Sequence, residues 1–175
     1  MATNPSELYL TIAPIAVAFA GFGSLASGLG QRRGGAHTRV DAMRLSSMLS
    51  ASLSAVLLAL LPATFAALFL NEHLATRASA LVAVISIIIL VPIHVRRGLK
   101  IRNLPGFSIG ANVANTGCAL TSLSAFSLCS LAIPSTRIEG LYLLGLVGLL
   151  GSSVVMFSRV TASMLRALNE GDGAK

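Results

Sequence analysis

Long apolar stretches separated by short polar segments form the dominant pattern of this chain. Five of these stretches, each 18 to 25 residues long, contain no Asp, Glu, Lys or Arg. Apolar segments of about 20 residues can cross the hydrocarbon core of a bilayer as helices. The pattern therefore predicts five transmembrane helices, over residues 8–29, 46–70, 78–95, 109–133 and 140–158. The expected fold is an all-α, polytopic membrane helix bundle over residues 1–168, followed by a disordered tail over 169–175.

Capping residues predict where several helices begin. Residues 38–41 (TRVD) form a capping-box pattern, so the second helix is expected to start before its apolar stretch. Ser108 is the expected N-cap of the fourth helix. Arg159 can lie among lipid headgroups, so the fifth helix is expected to continue to about Leu168.

Composition excludes an ordinary water-soluble domain. Of the 175 residues, 54% are hydrophobic and 11% are charged, and the mean hydropathy is +0.81. This is too little charge to cover a soluble surface, because apolar area exposed to water costs about 25 cal/mol per Å². The net charge of +7 could indicate nucleic-acid binding, but the basic residues flank apolar segments instead of forming a stripe on a soluble domain. We therefore expect no nucleic-acid partner.

The basic residues predict the orientation of the bundle. With five alternating spans, eleven of the 13 basic residues fall on one side, namely Arg32, Arg33, Arg39, Arg44, Arg96, Arg97, Lys100, Arg102, Arg159, Arg166 and Lys175. The other side holds only Arg77 and Arg137. Because cytoplasmic loops are enriched in Lys and Arg, the N-terminus is expected outside and the C-terminal tail in the cytoplasm. Anionic headgroups on the cytoplasmic side of the bilayer are the expected partners of these basic residues.

The sequence carries no pattern that indicates catalysis. All six acidic residues lie at span ends or in the polar segments, whereas proton relays and cation sites of many transporters use carboxylates inside the membrane. The three histidines lie on different segments, and no metal-ligand spacing, P-loop or nucleophile-elbow motif is present. We therefore expect no enzymatic activity, no cofactor and no metal site.

A group of polar residues maps to the cytoplasmic half of the predicted spans. Its members are Ser24, Ser27, Ser46, Ser47, Ser50, His94, Asn112, Asn115 and Thr116. Asn112 and Asn115 share a helix face because they are three residues apart, and an unsatisfied amide in hydrocarbon costs several kcal/mol. Serines of the first and second spans could provide their hydrogen-bond partners. The group is either a helix-packing network or a vestibule for a neutral solute or an anion.

Small residues at a spacing of four form a stripe on the first span. This stripe is made of Ala16, Ala20, Ser24 and Gly28, with Gly23 and Ser27 beside it. Small side chains let helix backbones approach closely in membranes. The stripe therefore predicts either packing within the monomer or a contact between copies in a homo-oligomer.

Three prolines lie inside the predicted spans, at Pro14, Pro62 and Pro92. A proline has no backbone N–H, so the carbonyl four residues earlier loses its helical donor and the helix tends to kink. For Pro62 that carbonyl belongs to Leu58.

Several short motifs resemble those of a group of small, uncharacterised, multi-pass membrane proteins of bacteria. The matching runs are residues 17–23 (VAFAGFG), 31–33 (QRR), 41–45 (DAMRL), 60–62 (LLP), 142–146 (YLLGL) and 157–159 (FSR). These runs are distributed over most of the chain. The resemblance implies a location in the bacterial inner membrane and implies no catalytic activity.

Two functional hypotheses follow. The preferred one is a non-enzymatic membrane protein that acts as a packing or assembly component and self-associates through the first span. The alternative is a small oligomeric channel or transporter for a neutral or anionic solute, with a polar vestibule on the cytoplasmic side. A membrane enzyme ranks third.

Overall fold

The computed structural model describes residues 5–30, 37–69, 71–100, 103, 107–131 and 138–172. These residues form five α-helices, α1 (Pro5–Gly30), α2 (His37–Phe69), α3 (Glu72–Lys100), α4 (Ile109–Ser130) and α5 (Ile138–Asp172). The predicted all-helical fold is therefore confirmed for the part of the chain that is described.

Side-chain caps define two of the helix starts. Ser108 is the N-cap of α4, as predicted, and its Oγ accepts a hydrogen bond from the backbone N–H of Ala111 at 3.4 Å. At the start of α3, Asn71 Oδ1 accepts a hydrogen bond from the N–H of Leu74 at 3.2 Å. Each cap satisfies an N–H that has no partner within its own helix.

The helices extend beyond the apolar stretches at several ends. Helix α2 begins at His37, in agreement with a start before its apolar stretch. Helix α5 continues to Asp172, so it extends into the segment 169–175 that was expected to be disordered. Helix α4 ends at Ser130, where the backbone N–H of Leu131 donates to the carbonyl of Ser127 at 3.0 Å.

Within the described part of the chain, three segments are long and apolar enough to cross a membrane, Ala42–Leu68, Glu72–Leu99 and Ile138–Ser163. No segment of the described α4 is among them, and this helix carries polar residues such as Asn112, Asn115 and Thr121 along its length. In α1 the apolar segment among the described residues is Thr11–Phe22.

Small residues fill much of the interior, and many large apolar residues lie outside. Alanines with 0% exposure occur on three helices, for example Ala16, Ala55 and Ala83. In contrast, Leu57 is 66% exposed and Ile89 is 58% exposed. Soluble monomers rarely expose large continuous apolar surfaces, whereas membrane helices pack through small residues and present large aliphatic ones to lipid. This distribution is therefore suited to a bundle in a bilayer.

Helices α2, α3, α4 and α5 surround a common interior, and α1 packs against α2 and α5. The ring of Phe19 on α1 meets Phe157 on α5 edge to face, with centroids 6.0 Å apart. Between α2 and α5, Ser52 Oγ donates a hydrogen bond to Ser153 Oγ at 3.1 Å.

Glycines on α5 allow its close approach to α4. A Cβ atom at Gly145 would lie 2.6 Å from the ring of Phe126, and one at Gly148 would lie 3.1 Å from the carbonyl oxygen of Cys118. Both distances are shorter than van der Waals contact. A larger residue at either position would therefore force the two helices apart.

We predict that Gly148→Ala destabilises the protein by about 1–3 kcal/mol, the usual cost of overpacking. The added methyl group would meet the α4 backbone at Cys118, which cannot rotate away. The measurement is the unfolding free energy of the purified protein in detergent micelles.

Gly140→Ala is the matched control on the same helix, since a Cβ there would meet no atom within 4 Å. Alanine favours helix by about 1 kcal/mol over glycine, so this variant should be equally or more stable. Equal stability of the two variants would contradict the close α4–α5 contact.

Candidate functional site

A partly open cavity of about 290 Å³ lies between four of the helices. Its walls are one face each of α2 between residues 40 and 58, α3 between 86 and 99, and α5 between 149 and 156, together with residues 107–123 at the start of α4. We call this cavity the vestibule. It lies toward the end of the bundle that carries Arg44, Arg96, Arg97 and Arg159, which we call the basic end.

The vestibule brings together six of the nine residues of the predicted polar group. These six are Ser47, Ser50, His94, Asn112, Asn115 and Thr116. Ser46 does not belong to the lining and is exposed. One residue advances a helix by about 100°, so Ser46 faces away when Ser47 faces inward. The side chains of Ser24 and Ser27 lie outside the described part of the structure.

Helical spacing explains why several hydroxyl groups point into one space. Ser47, Ser50 and Ser54 are three and four residues apart, which places them in a row on one face of α2. Ser54 was not part of the predicted group, although its spacing from Ser47 and Ser50 could have revealed it. Ser86 on α3 and Ser152 on α5 also line the vestibule without having been predicted.

The carboxamide of Asn115 has a partner different from the one expected. Ser152 Oγ on α5 donates a hydrogen bond to Asn115 Oδ1, whereas serines of the first two spans were the expected partners. The reason is that α4 packs most closely on α5, where glycines remove the steric barrier. Asn112 also bonds elsewhere, because its Nδ2 donates to the backbone carbonyl of Ser108 at 3.1 Å.

Four hydroxyl groups of the vestibule make no hydrogen bond to any residue that the structure describes. They belong to Ser47, Ser50, Ser54 and Thr116. Many other hydroxyls, including that of Ser86 in the lining, donate to a carbonyl of their own helix. Ser79 Oγ, for example, donates to the carbonyl of Ala75 at 2.8 Å. A helix offers every serine such a local acceptor, so the vestibule hydroxyls are available to bind something else.

His94 also contributes a polar atom to the lining. Its Nδ1 lies 2.9 Å from the carbonyl oxygen of Leu90, a distance at which Nδ1–H donates a hydrogen bond. In the neutral ring this leaves Nε2 as an acceptor. The vestibule therefore offers hydroxyl groups, which both donate and accept, and an imidazole nitrogen that accepts.

The described lining of the vestibule contains a basic residue and no acidic one. Arg44 lines the vestibule, and the described lining contains no Asp or Glu. No group of three or more His, Cys, Asp or Glu capable of holding a metal ion occurs among the described residues. A cation would therefore find no carboxylate to neutralise it there, whereas a neutral or anionic solute would meet no like charge.

The vestibule ends at a hydrogen bond between two helices. Tyr142 Oη on α5 donates to the backbone carbonyl of Leu58 on α2 at 2.5 Å, and Leu58 lines the vestibule. This is the carbonyl that loses its helical donor because of Pro62. The ring of Tyr142 also packs edge to face on Phe126, at a centroid distance of 5.2 Å. Leu58 borders the vestibule, and Tyr142 and Phe126 pack next to it without being part of the lining; we call these three residues the floor of the vestibule.

The small-residue stripe of α1 is described only in part. Ala16 is 0% exposed and belongs to the core of the monomer, while Ala20 is half-buried. The packing of Gly23, Ser24, Ser27 and Gly28 lies outside the described part of the structure. Ala16 is thus used for packing inside the protein, and a contact between copies through the remainder of the stripe stays a prediction.

Searches of protein-family models, of curated proteins and of solved structures find no match to this chain. The resemblance to small bacterial membrane proteins therefore stays an expectation.

We predict that Tyr142→Phe destabilises the protein by about 1–3 kcal/mol, because it leaves a buried carbonyl without a donor. The unfolding free energy in detergent micelles measures this loss. In a Pro62→Ala background, residue 62 regains an N–H for the Leu58 carbonyl, so the same change should cost less than half as much. Equal losses in both backgrounds would show that the tyrosine hydroxyl does not replace the missing helical donor.

Proposed function

We propose that this protein is a five-span membrane carrier that binds a small neutral or anionic solute in the vestibule. The observation that carries the proposal is a row of hydroxyl groups that have no hydrogen-bond partner among the described residues, in a cavity near the basic end. Buried polar groups normally have hydrogen-bond partners. A solute or its hydration water would provide hydrogen-bond partners for the hydroxyl groups of the vestibule.

The proposed topology places the basic end in the cytoplasm, the N-terminus outside and the C-terminus inside. Enrichment of Arg and Lys at one end supports this orientation. Among the residues that the structure describes, three helices are long and apolar enough to span a bilayer, and we assign α1 and α4 as the other two spans. With this topology the vestibule opens toward the cytoplasm. We assign the protein to the bacterial inner membrane, where anionic headgroups would contact the basic residues.

Solute binding explains the vestibule better than helix packing does. A packing network should join the polar side chains to one another, and Asn115 with Ser152 is an example. Ser47, Ser50 and Ser54 instead face open space. An assembly role with self-association through α1 remains our second hypothesis, and neither hypothesis requires enzymatic activity.

The form of the vestibule is better suited to a carrier than to a channel. A channel needs a continuous aqueous path, whereas the floor closes the cavity with a buried tyrosine, a buried phenylalanine and a hydrogen bond. Carriers expose their sites to one side of the membrane at a time. The vestibule has the form of such a site, open toward the basic end.

The first test is labelling of Ser50→Cys in a protein whose Cys118 and Cys129 are replaced by alanine. We expect a charged, membrane-impermeant thiol reagent to label it from the cytoplasmic face and much more slowly from the outside. Inside-out and right-side-out vesicles provide the two directions. Equal labelling from both faces would favour a channel, and labelling only from outside would reverse the orientation.

Leu53→Cys is the matched control, because Leu53 lies three residues away and is 53% exposed on the outer surface of the bundle. A thiol in hydrocarbon does not ionise and should react slowly. If Leu53→Cys reacted rapidly while Ser50→Cys did not, water and not lipid would surround the bundle.

The second test uses solutes to protect Ser50→Cys from the reagent. We expect at least one neutral or anionic member of a panel of polyols, amides, carboxylates and monoacylglycerols to slow labelling, and alkylammonium ions to have no effect. Adding Ser54→Leu should weaken protection about tenfold, since overfilling a cavity costs about 1–3 kcal/mol. Ser46→Leu, which lies outside the lining, should leave protection unchanged. If the two leucine substitutions had equal effects on protection, the solute would not bind in the vestibule.

A further inference from the structure

The exposed residues of the vestibule lining all lie on two neighbouring helices. Val95 and Leu99 on α3 are 46% and 63% exposed, Leu120 on α4 is 59% exposed, and Thr116 on α4 is also exposed. These residues therefore border the vestibule and the outer surface of the bundle at the same time.

The other walls of the vestibule are closed. Every lining residue of α2 and α5 is buried or half-buried, and Leu149 on α5 is only 8% exposed. On α3, Ile87, at the end of the wall away from the basic end, is only 5% exposed. The opening in the side of the bundle thus lies between the C-terminal half of α3 and the N-terminal half of α4. We call this opening the lateral slot.

The surface around the lateral slot is aliphatic. Ile88 on α3 is 57% exposed and Val113 on α4 is 65% exposed. In the proposed topology these residues face lipid, so the slot connects the vestibule directly with the bilayer. An apolar molecule dissolved in the membrane could enter without passing through water.

The vestibule is elongated and has polar and apolar sections. It follows α2 from Arg44 to Leu58, a rise of about 21 Å at 1.5 Å per residue. Most polar groups, including Ser47 and Asn112, lie in the section near the basic end. Leu58, Leu123 and Leu149 line the section near the floor, where Ser54 and Ser86 are the polar residues among the described lining. The volume of about 290 Å³ is close to the lower end of ligand pockets, which hold roughly 300–1,000 Å³.

We propose that the solute is an amphiphile with one aliphatic chain and an uncharged or anionic headgroup, which enters from the bilayer through the lateral slot. The chain would lie against the apolar section near the floor, and the headgroup would bind the vestibule hydroxyls near the basic end. This proposal rests on the solute-binding function proposed above and specifies its substrate class. The lateral slot, the change from polar to apolar lining and the charge of the lining are three separate observations. Each of them favours a single-chain amphiphile of this kind.

The absence of acidic residues from the described lining disfavours a cationic headgroup. A compact polar solute is disfavoured by the predominantly aliphatic wall near the floor, because most of its polar groups would lose hydrogen bonds to water there. A molecule with two acyl chains would need more volume than the vestibule offers.

The test is photolabelling of the protein in liposomes with decanoic acid that carries a diazirine at the end of its chain, and with the glycerol monoester of that acid. A decylamine of the same design is the cationic comparison. Mass spectrometry locates the adducts. We expect the acid and the monoester to label buried residues near the floor, such as Leu58 and Leu149, at least fivefold more than the amine does. Labelling of exposed Leu81 and Ile85 provides the reference for partition into the membrane.

Two variants test the route of entry. Thr116→Phe and Val95→Phe narrow the lateral slot from opposite sides, and each should lower labelling near the floor several-fold. Leu128→Phe is the matched control, since Leu128 is 42% exposed on α4 but lies in the C-terminal part of that helix and does not line the vestibule. It should leave labelling near the floor unchanged.

Labelling confined to the outer surface, or labelling near the floor that neither slot variant reduces, would overturn the proposal. Its failure can be separated from failure of the proposed function. If water-soluble solutes protect Ser50→Cys while no amphiphile labels the floor, the vestibule binds a polar solute and only the substrate class is wrong. If Ser50→Cys is neither labelled nor protected, the vestibule itself is not a solute site.

Discussion

The close approach of α4 and α5 determines the geometry of the vestibule. Helix backbones can come this near only where side chains are missing, and Gly145 and Gly148 provide that condition. The same approach brings Asn115 to Ser152 and Phe126 to Tyr142. Lipid provides little hydrophobic force between helices, so van der Waals contact and hydrogen bonds must hold them together. The α4–α5 contact supplies both.

Other pairs of helices pack less closely than α4 and α5 do. Helix α3 has little direct contact with α5, and the space between them is the vestibule. Its floor depends on a local defect of α2, because Pro62 cannot donate to the carbonyl of Leu58 and Tyr142 takes over that role. A buried carbonyl without a donor costs about 1–3 kcal/mol. The defect thus gives Tyr142 a specific position and closes one end of the cavity.

Hydroxyl groups on the helices differ in whether they hydrogen-bond to their own helix. Ser79 and Thr121 satisfy their hydroxyls on their own helix by bonding the carbonyl four residues earlier. Ser47, Ser50 and Ser54 do not, although the same acceptor is within reach of any helical serine. These three serines lie in a row on the face of α2 that borders the vestibule, and this shared placement is the basis for interpreting the polar group as a site.

The helical fold, the approximate positions of the helices and most of the polar group could be predicted from the sequence, because hydropathy and helical spacing act locally along the chain. Local spacing also showed that the carbonyl of Leu58 would lack a donor. Tertiary structure alone decided that Tyr142 fills this place, that Ser152 and not a serine of the first two spans binds Asn115, and that Ser46 faces outward. Those outcomes depend on which helix faces are neighbours and on how closely they approach, and a one-dimensional pattern contains neither quantity.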